Sequence, residues 1–68
     1  MAKVDGQEVK IGDWVGFKSD IEQSGKIIAI KQTYSGTSLT LENLSGFSGG
    51  YIGGDTITTV LARDCWAD

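Results

Sequence analysis

The chain has 68 residues, a net charge of −3 and a pI near 4.6, with no histidine and a single cysteine. This length suits one small domain, which we place at residues 1–68. The missing histidine excludes histidine-based catalysis and the common zinc ligand sets, and the single cysteine excludes an internal disulfide. The acidic balance gives no overall attraction to phosphate backbones or anionic lipid. No apolar run approaches the ~20 residues that span a bilayer and no leader segment is evident, so we expect a cytoplasmic protein without membrane association.

The chain begins with a hairpin signal and a second glycine turn. Asp5-Gly6 lies between two short runs and is typical of a two-residue hairpin turn, which predicts an N-terminal hairpin. At Gly12-Asp13 the glycine supplies backbone freedom, and the aspartate side chain can accept hydrogen bonds from nearby backbone N–H groups. The second turn is therefore predicted to join two strands that share one core.

Alternation around this second turn predicts which side chains point inward. Val9 and Ile11 share one parity before the turn, and Val15 and Phe17 share one parity after it. Such a period of two is typical of strands with one buried face. Trp14 has the opposite parity to its two apolar neighbours, so we expect its indole to point away from the core.

The later part of the chain predicts two central strands, a long loop and a closing strand. Residues 26–31 form the most apolar, β-branched run and are predicted to lie in the middle of the sheet. Leu39 and Leu41 alternate with polar residues in the strand that follows. Residues 45–54 contain five of the ten glycines and predict a long glycine-rich loop before a strand at 56–61.

Five short strands at meander spacing predict an all-β fold, a small and strongly bent antiparallel barrel. The predicted core consists of Val9, Ile11, Val15, Phe17, Ile28, Ile30, Leu39, Leu41, Val60 and Leu61.

Two stretches carry a resemblance to a known class of small barrels. Residues 11–15 and 25–30, Ile-Gly-Asp-Trp-Val and Gly-Lys-Ile-Ile-Ala-Ile, resemble the KOW motif of SH3-like barrels, in which a Gly-Asp-x-Val strand precedes a Gly-Lys-Val-like strand. The resemblance covers about a third of the chain and implies an SH3-like barrel with a nucleic-acid-binding role. As a whole the chain also looks like small proteins encoded by marine tailed phages, which implies a phage origin and action in the host cytoplasm.

The residue inventory argues against catalysis. The carboxylates of Asp13, Asp55, Asp64 and Asp68 have no spacing that brackets a cleft, and we expect them to be solvated or to cap turns. Cys65 has no neighbouring histidine or lysine, and Asp64 beside it would raise the pKa of the thiol, so a structural thiol is expected. We predict no enzymatic activity, no metal and no cofactor.

Aromatic side chains provide the predicted binding site, and the lysines provide an alternative. A non-catalytic protein-interaction role, as a small accessory or regulatory subunit, would use the aromatic residues Trp14, Phe47, Tyr51 and Trp66. Two structural roles compete with this one: Phe47 and Tyr51 would cap the core, and the two tryptophans would pack on each other. The nucleic-acid alternative would use Trp14, Lys18, Lys26 and Lys31. An open sheet edge would also allow copies of the chain to associate.

Overall fold

The computed structural model describes residues 2–4, 6–19, 21–48 and 54–67, and it confirms the all-β prediction. The strands are β1 (Ala2–Val4), β2 (Gln7–Val9), β3 (Trp14–Ser19), β4 (Ile21–Thr33), β5 (Gly36–Glu42), β6 (Ile57–Leu61) and β7 (Cys65–Ala67). A single 3-10 turn, Ala62–Asp64, connects β6 to β7. None of the helical structure in the described ranges is long and apolar enough to cross a membrane.

Five of these strands form one antiparallel sheet in the order β6-β5-β4-β3-β7, and β1 pairs with β2 in a separate hairpin. The predicted closure into a barrel is wrong: within the described ranges β6 and β7 are opposite edges of the sheet and do not pair. The hairpin explains how an open sheet still buries a core, because Val4 and Val9 belong to the buried cluster. A covering hairpin thus replaces closure of the sheet.

Strand β4 connects the two halves of the sheet and carries a β-bulge. Its first half pairs with β3 and its second half with β5, and Lys26 lies opposite residues of both neighbours. The register shifts between Ile27 and Ala29, which makes Ile28 the extra residue. A bulge reverses the alternation of side chains beyond it and bends the strand. Ile27 therefore points inward before the bulge and Ile30 points inward after it.

The bulge and the second turn account for two of the three errors in the predicted core, and the third is the inward direction predicted for Leu61. Ile28 is only partly buried, and Ile27 is completely buried in its place. Ile11 is 62% exposed because it lies in the turn after β2, where strand alternation no longer applies. Leu61 is partly buried and lies opposite Ser38, on the face of the sheet away from the core.

The other core predictions are confirmed, and four further residues outside the predicted core set are buried, of which Phe47 and Cys65 agree with the structural roles considered for them. Val9, Val15, Phe17, Leu39 and Leu41 are buried, with Ile30 and Val60 packed against them. Besides Ile27, the core also contains Val4, Phe47, Ala62 and Cys65.

Candidate functional site

The Gly12-Asp13 turn fixes the position at which Trp14 begins β3. Gly12 has φ of 99°, in the left-handed region that glycine adopts without strain. Its N–H donates to the carbonyl of Ile27 at 2.8 Å, and the N–H of Ile27 donates to the carbonyl of Asp13 at 2.8 Å. The turn is thus bonded on both sides to the residue that precedes the bulge, which anchors the start of β3 against β4.

The Asp13 side chain stabilises the same turn from the outside. Its carboxylate accepts a hydrogen bond from the backbone N–H of Lys10 at 3.1 Å and forms an ion pair with the Lys10 ammonium group at 3.2 Å. The backbone hydrogen bond, followed by the side-chain bond, lowers the pKa of Asp13. Asp13 is therefore a turn-capping residue, as the sequence predicts.

Trp14 points away from the core, as its parity predicts. Its neighbour Val15 is fully buried, whereas Trp14 is 47% exposed. Across the sheet Trp14 lies opposite Lys26, which in turn lies opposite Glu42. Residues directly opposite each other in antiparallel strands share a face, so these three side chains form one row on the outward face.

Leu44 lies next to this row on an ordered turn, a position that strand alternation does not predict. Asn43 holds the turn through both its side chain and its backbone. Its side-chain amide donates to the Ser24 carbonyl at 3.0 Å, and its side-chain oxygen accepts from the Ser45 N–H at 2.9 Å. Its backbone N–H donates to the Thr56 carbonyl at 2.9 Å, and its carbonyl accepts from the Gly46 N–H at 2.8 Å. Leu44 follows and is 84% exposed. The sequence signal for this position is the turn sequence Asn-Leu-Ser-Gly, in which an asparagine stabilises a turn and an apolar residue follows it.

Trp14 and Leu44 flank a single surface depression of about 270 Å³. The remaining lining residues are Lys26, Glu42, Asn43 and Ser45. We call the group Trp14, Lys26, Glu42 and Leu44 the Trp14 surface. It combines two large exposed apolar side chains with one charge of each sign.

Trp66 lies elsewhere on the outward face, in contact with Gly16. The two residues are opposite each other in β7 and β3, and a Cβ built on Gly16 would be 2.5 Å from Cε2 of the indole. The only ring contact within the described ranges joins Phe17 and Phe47, so the predicted packing of the two tryptophans on each other is wrong. Trp66 instead covers a glycine and borders a separate depression of about 250 Å³.

Phe47 caps the core and does not contribute to a binding surface. Its side chain is 2% exposed, and its ring centroid lies 5.5 Å from that of Phe17. Its N–H donates to the Asp55 carbonyl at 2.7 Å, and its carbonyl accepts from the Gly54 N–H at 2.8 Å. The alternative that Phe47 binds a partner is therefore contradicted. Tyr51, the other loop aromatic in the predicted site, lies outside the described residues.

The three lysines of the nucleic-acid alternative share the outward face, but two of them lie opposite acids. Lys18 is opposite Glu22, Lys26 is opposite Glu42, and Lys31 is opposite Ser38. An acidic neighbour lowers the local positive potential that a phosphate would meet. The surface around these three lysines is therefore close to electrically neutral along most of its length.

The described residues contain no group of three or more histidine, cysteine, aspartate or glutamate side chains that would hold a metal ion. Cys65 is buried and its thiol donates to the Leu61 carbonyl at 3.5 Å. Burial, with a smaller contribution from the negative charge of Asp64, raises the pKa of this thiol to about 11. A thiol of that kind is almost fully protonated at neutral pH and is a poor nucleophile.

Comparison of the chain with protein-family models, with curated protein sequences and with solved structures gave no match. The outward face of the sheet is thus interpreted from its own geometry and chemistry.

Proposed function

We propose that this chain is a non-catalytic protein-interaction module, a small accessory or regulatory subunit that docks on a larger assembly through the Trp14 surface. The observation that carries the proposal is the pairing of Trp14, about half exposed, and Leu44, largely exposed, around one depression. Tryptophan is strongly enriched among the residues that dominate binding energy at protein interfaces. The resemblance to marine tailed-phage proteins supports a phage origin and action in the host cytoplasm.

The local structure of the Trp14 surface supports docking because the backbone that carries both apolar groups is held by hydrogen bonds before a partner arrives. Trp14 follows a turn with two backbone hydrogen bonds to Ile27, and Leu44 follows an asparagine that is bonded to Ser24. Binding through ordered groups avoids part of the entropy cost of association. The single charges of Lys26 and Glu42 would then orient the partner.

The test is affinity capture from host-cell lysate, followed by calorimetry with the purified partner. Trp14→Ala should weaken binding by about thirtyfold or more, which corresponds to a loss of at least ~2 kcal/mol at an interface hot spot. Leu44→Ala should weaken it to a smaller extent. Tyr34→Ala is the matched control, because Tyr34 is a fully exposed aromatic residue in the turn between β4 and β5. A partner that binds equally well to all three variants would refute the assignment of the site.

A second candidate function is nucleic-acid binding, and one observation favours it: Trp14 lies directly opposite Lys26, which combines a stacking surface with a positive charge. The KOW-like resemblance supports the same role. The acids opposite Lys18 and Lys26 and the net charge of −3 oppose it. We rank it below protein docking for that reason.

Fluorescence anisotropy with single-stranded RNA and duplex DNA separates the two functions. If the three lysines contact phosphates, a plot of log K against the logarithm of the salt concentration would have a slope of roughly −0.7 to −0.9 for each neutralised phosphate. We expect weak or absent binding at physiological salt. Sub-micromolar binding that survives moderate salt and is lost in Lys26→Glu would make nucleic-acid binding the better assignment.

A further inference from the structure

Strand β6 is a sheet edge without the features that usually prevent edge pairing. It lies at one end of the five-stranded order and pairs only with β5 within the described ranges. Its sequence, Ile-Thr-Thr-Val-Leu, contains no charge and no proline and consists largely of β-branched residues. Natural proteins usually protect such edges with lysine, proline or a bulge, because an unprotected edge pairs readily with another strand.

The opposite edge of the sheet is protected. Strand β7 has only three residues, Cys65–Ala67, and strand β1 of the N-terminal hairpin packs against it. Short edge strands and edges covered by another element offer little backbone for pairing. The two edges therefore differ, and β6 is the one that offers five uncharged residues.

We infer that β6 pairs antiparallel with β6 of a second copy of this chain, about a twofold axis at Thr59. In that register Ile57 faces Leu61 of the second copy, and Thr58 faces Val60 of the second copy. Thr59 faces its own counterpart and extends a row that already exists, since the hydroxyl groups of Thr40 and Thr59 lie 3.4 Å apart. Each facing pair is apolar or uncharged, so the edge is complementary to itself.

The charges at the two ends of β6 select the antiparallel arrangement. Asp55 lies just before β6 and Arg63 just after it, and both side chains are exposed. An antiparallel copy brings Asp55 of each chain toward Arg63 of the other, whereas a parallel copy brings like charges together. Asp64 follows Arg63 and offsets part of its charge, so the pair contributes modestly to affinity, while Asp55→Arg would place two arginines opposite each other at both ends of the interface.

The expected association is weak. A five-residue edge is smaller than the ~1,200 Å² of stable interfaces. We therefore choose a concentration range that detects a dissociation constant on the order of 0.1–1 mM. Nuclear magnetic resonance spectra of the full chain, recorded from about 20 µM to 2 mM, measure association in this range. The amide signals of residues 57–61 should shift with concentration, and those of residues 14–18 should not.

Substitutions at the edge and at its ends test the arrangement. Thr59→Lys places two like charges at the twofold axis and should weaken association at least about tenfold. Tyr34→Lys is the control, because it adds the same charge in an exposed turn away from β6. Asp55→Arg should also weaken association, and Asp55→Arg combined with Arg63→Asp should restore it. Signal dispersion in the same spectra shows that each variant is folded.

Several results would overturn the inference. A chain that stays monomeric to 2 mM would exclude it, as would shifts at residues 65–67 in place of 57–61. Association that is unchanged in Thr59→Lys would exclude the β6 edge, and failure of the double charge exchange to rescue Asp55→Arg would exclude the antiparallel register. Trp14→Ala should leave self-association unchanged, so this test and the test of the Trp14 surface can fail independently.

Discussion

Truncation of Phe47 should remove much of the stability of this domain. Among the described residues Phe47 is the largest fully buried side chain, and it packs against the ring of Phe17 and against Gly25, where a Cβ would be 3.0 Å from the Phe47 ring. A buried Phe→Ala substitution costs about 3–5 kcal/mol. A native chain of this length has a total stability of roughly 3–10 kcal/mol. Phe47→Ala should therefore leave a large fraction of the molecules unfolded near 37 °C.

The assay is urea and thermal unfolding, followed by far-ultraviolet circular dichroism and tryptophan fluorescence. At about 4–8 °C per kcal/mol for a domain of this size, the expected fall in Tm is at least ~12 °C. Phe47→Leu, which keeps most of the apolar volume, should cost less than about 1.5 kcal/mol.

Leu44→Ala is the matched control, since Leu44 lies three residues earlier and is largely exposed. Its free energy of unfolding should change by less than ~0.5 kcal/mol, as expected for a surface substitution. If Phe47→Ala and Leu44→Ala have the same midpoint, Phe47 does not cap the core.

Three further predictions concern single side chains. Gly16→Ala should displace the Trp66 indole, shift tryptophan emission to longer wavelength and cost about 1–3 kcal/mol, because the new Cβ would overlap the ring. Cys65 should react with a thiol reagent at pH 8 at least about a hundredfold more slowly in the folded chain than in urea, because its pKa is raised from 9.0 to about 11 and the thiol is buried. Asp13→Ala should lower stability at neutral pH. Because the folded-state pKa of Asp13 is lowered from 3.8, the stability difference between the native chain and Asp13→Ala should be present above pH 4 and disappear as the pH falls further. Urea unfolding midpoints of both proteins measure this difference.

Strand alternation predicted the fold class and about half of the core, and it failed where the backbone departs from a regular strand. Val15, Phe17, Leu39 and Leu41 lie in regular strands, and their inward parity is correct. In the run 27–30 every residue is apolar, so the sequence contains no polar position that would mark the register. The bulge at Ile28 depends on how β4 pairs with two different neighbours, which is a tertiary effect.

The candidate site was predictable to the extent that it depends on parity. The outward direction of Trp14 follows from its position beside Val15 and Phe17. The placement of Leu44 and Phe47 does not, because both lie in an irregular segment where hydrogen bonds set the direction of each side chain. Two apolar residues three positions apart thus have opposite environments, one largely exposed and one buried.

The contrast between these residues separates stability from binding in this protein. Trp14 is 47% exposed and Leu44 is 84% exposed, so their truncation removes less of the side-chain surface buried in the folded chain than truncation of Phe47, which is 2% exposed. Hydrophobic stabilisation is proportional to the apolar area removed from water. Under the proposed docking function, Trp14→Ala should therefore weaken partner binding strongly and lower Tm less than Phe47→Ala does. Phe47→Ala should lower Tm strongly and affect binding only through the loss of folded molecules, so measuring both quantities on both variants distinguishes a docking residue from a structural one.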